Sequence, residues 1–113
     1  MQAREGAANK NMIRHFVLFN LKPEIENADR EWLFSQIQGL ARVEPVRRLA
    51  LGKLLDPEEW YKGRMAADYG WCLSMEFDDE AGLYAYQKDP YHVTVAQEIR
   101  KRVSVIKVMD FVS

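Results

Sequence analysis

The sequence predicts an α+β plait: a four-stranded antiparallel sheet with helices on one face, in the order strand, helix, strand, strand, helix, strand. Three observations carry this expectation. Met12 to Leu21 is apolar on both sides of an alternating pattern, which marks a strand lying centrally in its sheet. Tyr69 to Phe77 is the cleanest alternation in the chain, with Tyr69, Trp71, Leu73, Met75 and Phe77 all facing one way. Helical periodicities fall between and after these strands, and the second of them is broken by Asp89-Pro90.

Taken in order, Met1 to Asn11 are small, polar or charged around Gly6 and have no apolar period. They bury too little surface to offset their ordering entropy and are expected to form a flexible tail, followed by a single domain over residues 12–113. In the first strand Ile13, Val17, Phe19 and Leu21 alternate with Phe16 and Leu18, and His15 shares the face of the first set. Lys22-Pro23 ends it. From Asn27 or Asp29 a helix is predicted to about Arg42, with Leu33, Phe34, Ile37, Leu40 and Ala41 as its apolar stripe. Pro45 to Leu54 reads as a second strand, whose Arg47, Arg48 and Lys53 suit a sheet edge. Leu55 to Asp68 holds Asp-Pro and Lys-Gly and is expected as a loop or partly helical excursion around Trp60 and Tyr61. Asp78 or Asp79 then caps a short helix through about Tyr86. Asp89 can cap another, with Pro90 at the first helical position where no donor is needed, running to Arg102. Ser104 to Val112 is the last strand.

The 113 residues, 48% of them hydrophobic, suffice for one core and not for two ordinary domains. Sixteen basic and 17 acidic residues leave a net charge of −1, so neither nucleic acid nor a membrane is expected as a partner. Cys72 is the single cysteine, which excludes an intrachain disulfide and suits a cytoplasmic protein. Helices can cover only one face of the sheet, yet the first strand is apolar on both. A second copy of the sheet would supply the missing cover, so a homodimer with a shared barrel-like core is expected.

Tyr84 to His92 joins two helices and gathers aromatic and ionisable side chains. His92, Val95, Ala96, Ile99 and Val103 recur at helical spacing, so His92 points inward with the valines. An imidazole titrating near pH 6.5 suits a general base that removes a proton beside a carbonyl. Tyr86 can hold the polarised oxygen, and Asp110 can fix the imidazole tautomer. The competing interpretation is that His92 is a helix-start residue with one satisfied hydrogen bond and Tyr86 a packing aromatic. His15 is expected as a core residue bonded to backbone, ahead of a pocket-lining role. Asp110, amid Val108, Phe111 and Val112, must find a partner if buried: a basic residue, a helix end or His92. Trp60, Tyr61 and Tyr91 are candidates to roof a pocket, or else to serve as core or interface. Cys72 is expected as inert packing and Arg100 to Arg102 as a solvated helix end.

Together these pieces resemble the stress-responsive dimeric α/β-barrel (Dabb) domains over roughly Met12 to Val112. The matching stretches are Met-Ile-Arg-His-Phe-Val-Leu-Phe from Met12, Asp68-Tyr69-Gly70 followed by Met75-Glu76-Phe77, the segment Tyr86 to His92, and Val108-Met109-Asp110-Phe111. The resemblance implies a ferredoxin-like fold, a homodimeric barrel, a pocket between sheet and helices for a small apolar or carbonyl-containing molecule, and no metal or cofactor. One branch of the family, the plant polyketide cyclase that makes olivetolic acid, closes a linear polyketide by an intramolecular aldol condensation. Its motif of Tyr, two residues, then His-Pro-x-His carries over as Tyr86 and His92, with Asp89 standing where the first His would be. The histidine of its first strand corresponds to His15 and its closing Asp to Asp110. Other members are described as stress-related without assigned chemistry. Two function classes therefore stand: a ligand-binding or stress-related domain without turnover, and a cofactor-independent cyclase, isomerase or lyase. A cofactor-independent oxygenase has no sequence feature separating it from the second. An open pocket on which His92 and Tyr86 converge favours chemistry; a filled core with His92 bonded to backbone argues against it.

Overall fold

β1 (Ile13–Leu21) is followed by α1 (Asn27–Gln38), a 3₁₀ turn (Gly39–Arg42), β2 (Val46–Lys53), a second 3₁₀ turn (Glu59–Arg64), β3 (Trp71–Phe77), α2 (Glu80–Lys88), α3 (Pro90–Arg102) and β4 (Val103–Val112). This computed structural model describes residues 11–113, so the expected tail lies outside the described residues except for Asn11. The strands form one antiparallel sheet in the order β2-β3-β1-β4. β1 is internal, as its two-sided apolar pattern requires, and the cationic β2 lies at an edge.

The core lies between this sheet and the helices. Ile13, Val17 and Phe19 of β1 and Leu73, Met75 and Phe77 of β3 meet Leu33 and Ile37 of α1, Leu83 and Tyr86 of α2 and Val95 of α3, all of them buried. Each such side chain contributes about 1.5–3 kcal/mol by leaving water. On the opposite face Phe16 stacks on Phe111 at 5.9 Å between ring centres, Arg14 pairs with Glu76 at 2.5 Å, and no helix among the described residues covers them. Cys72 is half-buried on that face, where burial pushes its thiol up and disfavours the thiolate.

The break between α2 and α3 is built as the sequence predicts. Asp89 Oδ1 accepts the backbone N–H of Tyr91 at 2.8 Å, and Pro90 begins the helix. Asp79 Oδ1 likewise accepts from Gly82 and starts α2.

Elsewhere the structure differs from expectation. α1 ends at Gln38 and tightens into the 3₁₀ turn, and its preceding residue, Glu26, makes no side-chain cap. Tyr91 does not line the cavity that holds Tyr86 and His92; it borders another beside Gly39 and Val43. Its hydroxyl donates to Gln36 O at 2.8 Å, satisfying a carbonyl in the last turn of α1. The close approach requires Gly39, where an added Cβ would lie 2.4 Å from that hydroxyl. Trp60 and Tyr61 are exposed and pack on each other at 5.4 Å. Arg102 is not a solvated helix end: it bonds Glu98 at 2.7 Å and Asp29 at 2.9 Å and lies over the Trp32 ring. Among the described residues, no helix is long and apolar enough to cross a membrane.

Candidate functional site

A cavity of about 270 Å³ lies between the sheet and the helices. Its walls are largely apolar, with Val17, Leu40, Leu73, Ala96, Ile99 and Val108 among them, and its polar groups include His15, Tyr86, His92 and Asp110. All four residues expected at the site therefore meet there. The volume is near the lower end of the ~300–1,000 Å³ typical of small-molecule sites.

His15 is held by strand register. It lies directly opposite Asp110 in the β1–β4 pairing, and cross-strand partners share one face of the sheet. Its Nδ1 lies 2.5 Å from Asp110 Oδ1. This corrects two expectations: Asp110 serves His15 and not His92, and His15 is bonded to a carboxylate and not to backbone. The physical reason is that register, which local sequence does not specify, decides which side chains oppose one another. A carboxylate accepts, so Nδ1 carries the hydrogen and Nε2 is left without a partner among the described residues. Among the described residues no buried side-chain nitrogen or oxygen lacks a partner, so Nε2 must reach the open space of the cavity.

His92 sits in the first turn of α3, close behind the Asp89 cap. Its Nδ1 donates to Gln87 O at 3.1 Å, which leaves Nε2 as the free lone pair. Burial holds the imidazole below its ordinary pKa. The bond to Gln87 opposes that shift, the nearby His15 and the positive charge of Arg100 add to it, and Asp89 opposes it. At neutral pH His92 is therefore an uncharged base.

Tyr86 is only 1% exposed, its ring packed on Phe77 at 5.1 Å and on His92 at 4.3 Å between centres. Burial pushes its phenol well above the usual range, so it stays protonated and can donate. Its hydroxyl bonds no group among the described residues, and by the same reasoning as for His15 it opens on the cavity. The pocket is open and the core beside it is not filled, while His92 is bonded to backbone through Nδ1 alone, so each expected alternative holds in one part.

The sequence did not point to Gln87, whose carbonyl orients His92, nor to Arg100, Ile106 and Val108 as cavity residues. For the two β4 residues a signal existed: they share the period-2 face of Asp110. Arg100 carried none, since a basic residue in a last helical turn is ordinary. Among the described residues no group of three or more His, Cys, Asp or Glu is placed to hold a metal ion.

The model of the Dabb family, the stress responsive A/B barrel domain, matches residues 13–113. Among solved structures, a Dabb family protein with a ferredoxin-like fold from Mesorhizobium loti superposes with a TM-score of 0.76 at 25% identity, covering 92% of this chain and 98% of that one. A dimeric ferredoxin-like protein of unknown function from Thermobifida fusca gives 0.75 at 23% identity, with 92% of each chain covered. The hydroxynitrile lyase of Passiflora edulis gives 0.80 at 16% identity, covering 92% of this chain and 94% of that one. No curated protein matches. The likenesses show a ferredoxin-like fold.

Proposed function

The chain belongs to the stress responsive A/B barrel (Dabb) family, and from that premise we propose that it is a homodimer whose residues 12–113 form one domain binding a small, largely apolar molecule that carries a carbonyl group. One observation supports this above the others: Tyr86 Oη, His92 Nε2 and His15 Nε2, all without partners among the described residues, border one apolar cavity. Apolar walls drive such a ligand in, and a neutral phenol aimed at its oxygen orients it. Dimerisation is supported by the uncovered apolar face bearing Phe16, Met109 and Phe111, and by relatives described as dimeric. Binding of this kind requires no cofactor. The net charge of −1 offers nucleic acid or an anionic membrane no attractive field, and the unpaired Cys72 fits a cytoplasmic protein. Titration with acetophenone, benzaldehyde and cyclohexanone, followed through the imidazole NMR signals of His15 and His92, tests the assignment. Both signals should move with at least one probe; if none of the three moves either, the cavity is not the site.

A second reading, a cofactor-independent cyclase, isomerase or lyase, is favoured by the neutral state of His92 beside a protonated Tyr86. In that reaction the Tyr86 hydroxyl donates a hydrogen bond to the substrate carbonyl while His92 Nε2 takes the proton from the adjacent carbon. The electron pair moves onto the oxygen as an enolate, and His92 becomes an imidazolium. Returning the proton elsewhere gives an isomerase; attack of the enolate carbon on a second carbonyl, whose oxygen then takes the proton back from the His92 imidazolium, gives a cyclase. Exchange of the methyl hydrogens of acetophenone in heavy water separates the two classes. Turnover requires exchange above the buffer rate that is lost in His92→Ala, whereas a binding domain gives none.

A further inference from the structure

The last strand has too little cover for its composition. Ile106, Val108 and Val112 of β4 lie opposite Phe19, Val17 and Ile13 of β1, on the helix-bearing face. The β1 residues are 1%, 8% and 3% exposed; their β4 partners are 39%, 55% and 57% exposed. The helical layer thus stops one strand short of the edge. On the other face Met109 and Phe111 are 54% and 42% exposed. β4 therefore presents large apolar side chains on both sides and has an edge ten residues long that is unpaired among the described residues.

The two edges of the sheet are built differently. β2 carries Arg47, Arg48 and Lys53, charges that discourage another chain from pairing or packing there. β4 carries Lys107 and Asp110, and the Asp110 carboxylate is already engaged by His15. Of the two edges, only β2 is guarded. Ile106, Val108 and Asp110 also line the cavity and are exposed, so the uncovered flank of β4 forms one side of its opening, with Gln87 and Arg100 exposed across it.

We infer that a second copy of this chain seats along β4 over both of its faces and closes the flank of the cavity, so that the binding site is complete only in the dimer. This rests on the homodimer proposed above and adds that association and ligand binding are coupled. By linkage, whatever factor dimerisation adds to ligand affinity, ligand adds to dimer affinity; couplings of this kind are typically fivefold or more.

Met109→Lys tests it, because Met109 points to the face away from the cavity. Sedimentation velocity should show a monomer. In that monomer, carbethoxylation of His15 by diethylpyrocarbonate, located by mass spectrometry, should be about fivefold faster or more, and acetophenone should bind about fivefold more weakly or worse. Arg48→Glu, on the guarded edge, should leave the dimer intact. A monomeric wild type, a Met109→Lys dimer, a dimer dissociated by Arg48→Glu, or a monomer whose His15 reacts at the wild-type rate would overturn the inference. If circular dichroism shows that Met109→Lys is unfolded, dilution of the wild type through its dissociation range gives the same His15 readout. Should the wild type bind none of the carbonyl probes, the ligand assignment fails while the His15 rate still decides the closure.

Discussion

Tyr86→Phe removes one oxygen from the middle of the site and separates packing from function. The Tyr86 ring is 1% exposed and lies against Phe77 at 5.1 Å and His92 at 4.3 Å, contacts that phenylalanine keeps. The hydroxyl bonds nothing in the described chain, so its loss orphans no donor or acceptor. Stability should therefore change by no more than about 0.5 kcal/mol, whereas Tyr86→Ala, which opens a cavity where the ring was, should cost about 3–5 kcal/mol. If the hydroxyl holds a ligand carbonyl, the same Tyr86→Phe change removes a hydrogen bond worth about 0.5–1.5 kcal/mol. At about 1.4 kcal/mol per tenfold, this is a loss in affinity of roughly 2- to 12-fold. Urea denaturation measures the first quantity, and calorimetric titration with acetophenone the second. A stability loss above about 1.5 kcal/mol means that the hydroxyl has a partner within the fold; an unchanged affinity means that it is not in the site.

Asp110→Ala leaves the His15 Nδ1–H without its acceptor. A loss of about 1 kcal/mol is expected, at the low end for a buried donor because the carboxylate side chain is 37% exposed and water can replace it; urea denaturation at pH 8 showing no change would mean that the pair is dispensable. The folded pKa of His92 lies below its ordinary 6.5, so between those two values the unfolded chain binds a proton that the native state does not. Stability from this group is complete above about pH 6.5 and is lost as the pH falls through the folded value. In His92→Gln that acid limb should flatten, and a pH–stability profile identical to wild type would show that His92 titrates normally. Asp89→Ala removes the cap on Tyr91 N–H and should cost about 1 kcal/mol in urea denaturation, with Asp89→Ser restoring most of it. Failure of serine to restore stability would show that Asp89 acts by charge and not as a cap.

The frame of the fold was legible because local rules set it. The two-sided apolar pattern of Ile13 to Leu21 can be satisfied only by an internal strand, and Asp89-Pro90 fixes a helix start whatever surrounds it. That His92 and Tyr86 share a cavity also follows from spacing, since both sit beside the same helix junction. The partner of Asp110 was not legible. His15 and Asp110 are 95 residues apart, and their meeting depends on the β1–β4 register, for which no tight turn supplies a local signal. Arg102 failed for a related reason: its partner Asp29 lies at the start of another helix, and no periodicity within α3 could reveal it.

The same dependence makes the site a reporter of the sheet. A one-residue slip of β4 against β1 would bring Met109 or Phe111 opposite His15, send Asp110 to the uncovered face and turn Ile106 and Val108 away from the cavity. It would also bury an imidazole without its acceptor, at a cost of about 1–3 kcal/mol. Weakly specified edge strands are the ones prone to such slippage, and β4 has apolar side chains enough to tolerate burial on either face. The His15–Asp110 bond therefore discriminates between registers that hydrophobicity alone would leave close in energy. One interaction both pins the edge strand and holds Nε2 of His15 toward the cavity, so loss of the register is at once loss of the site.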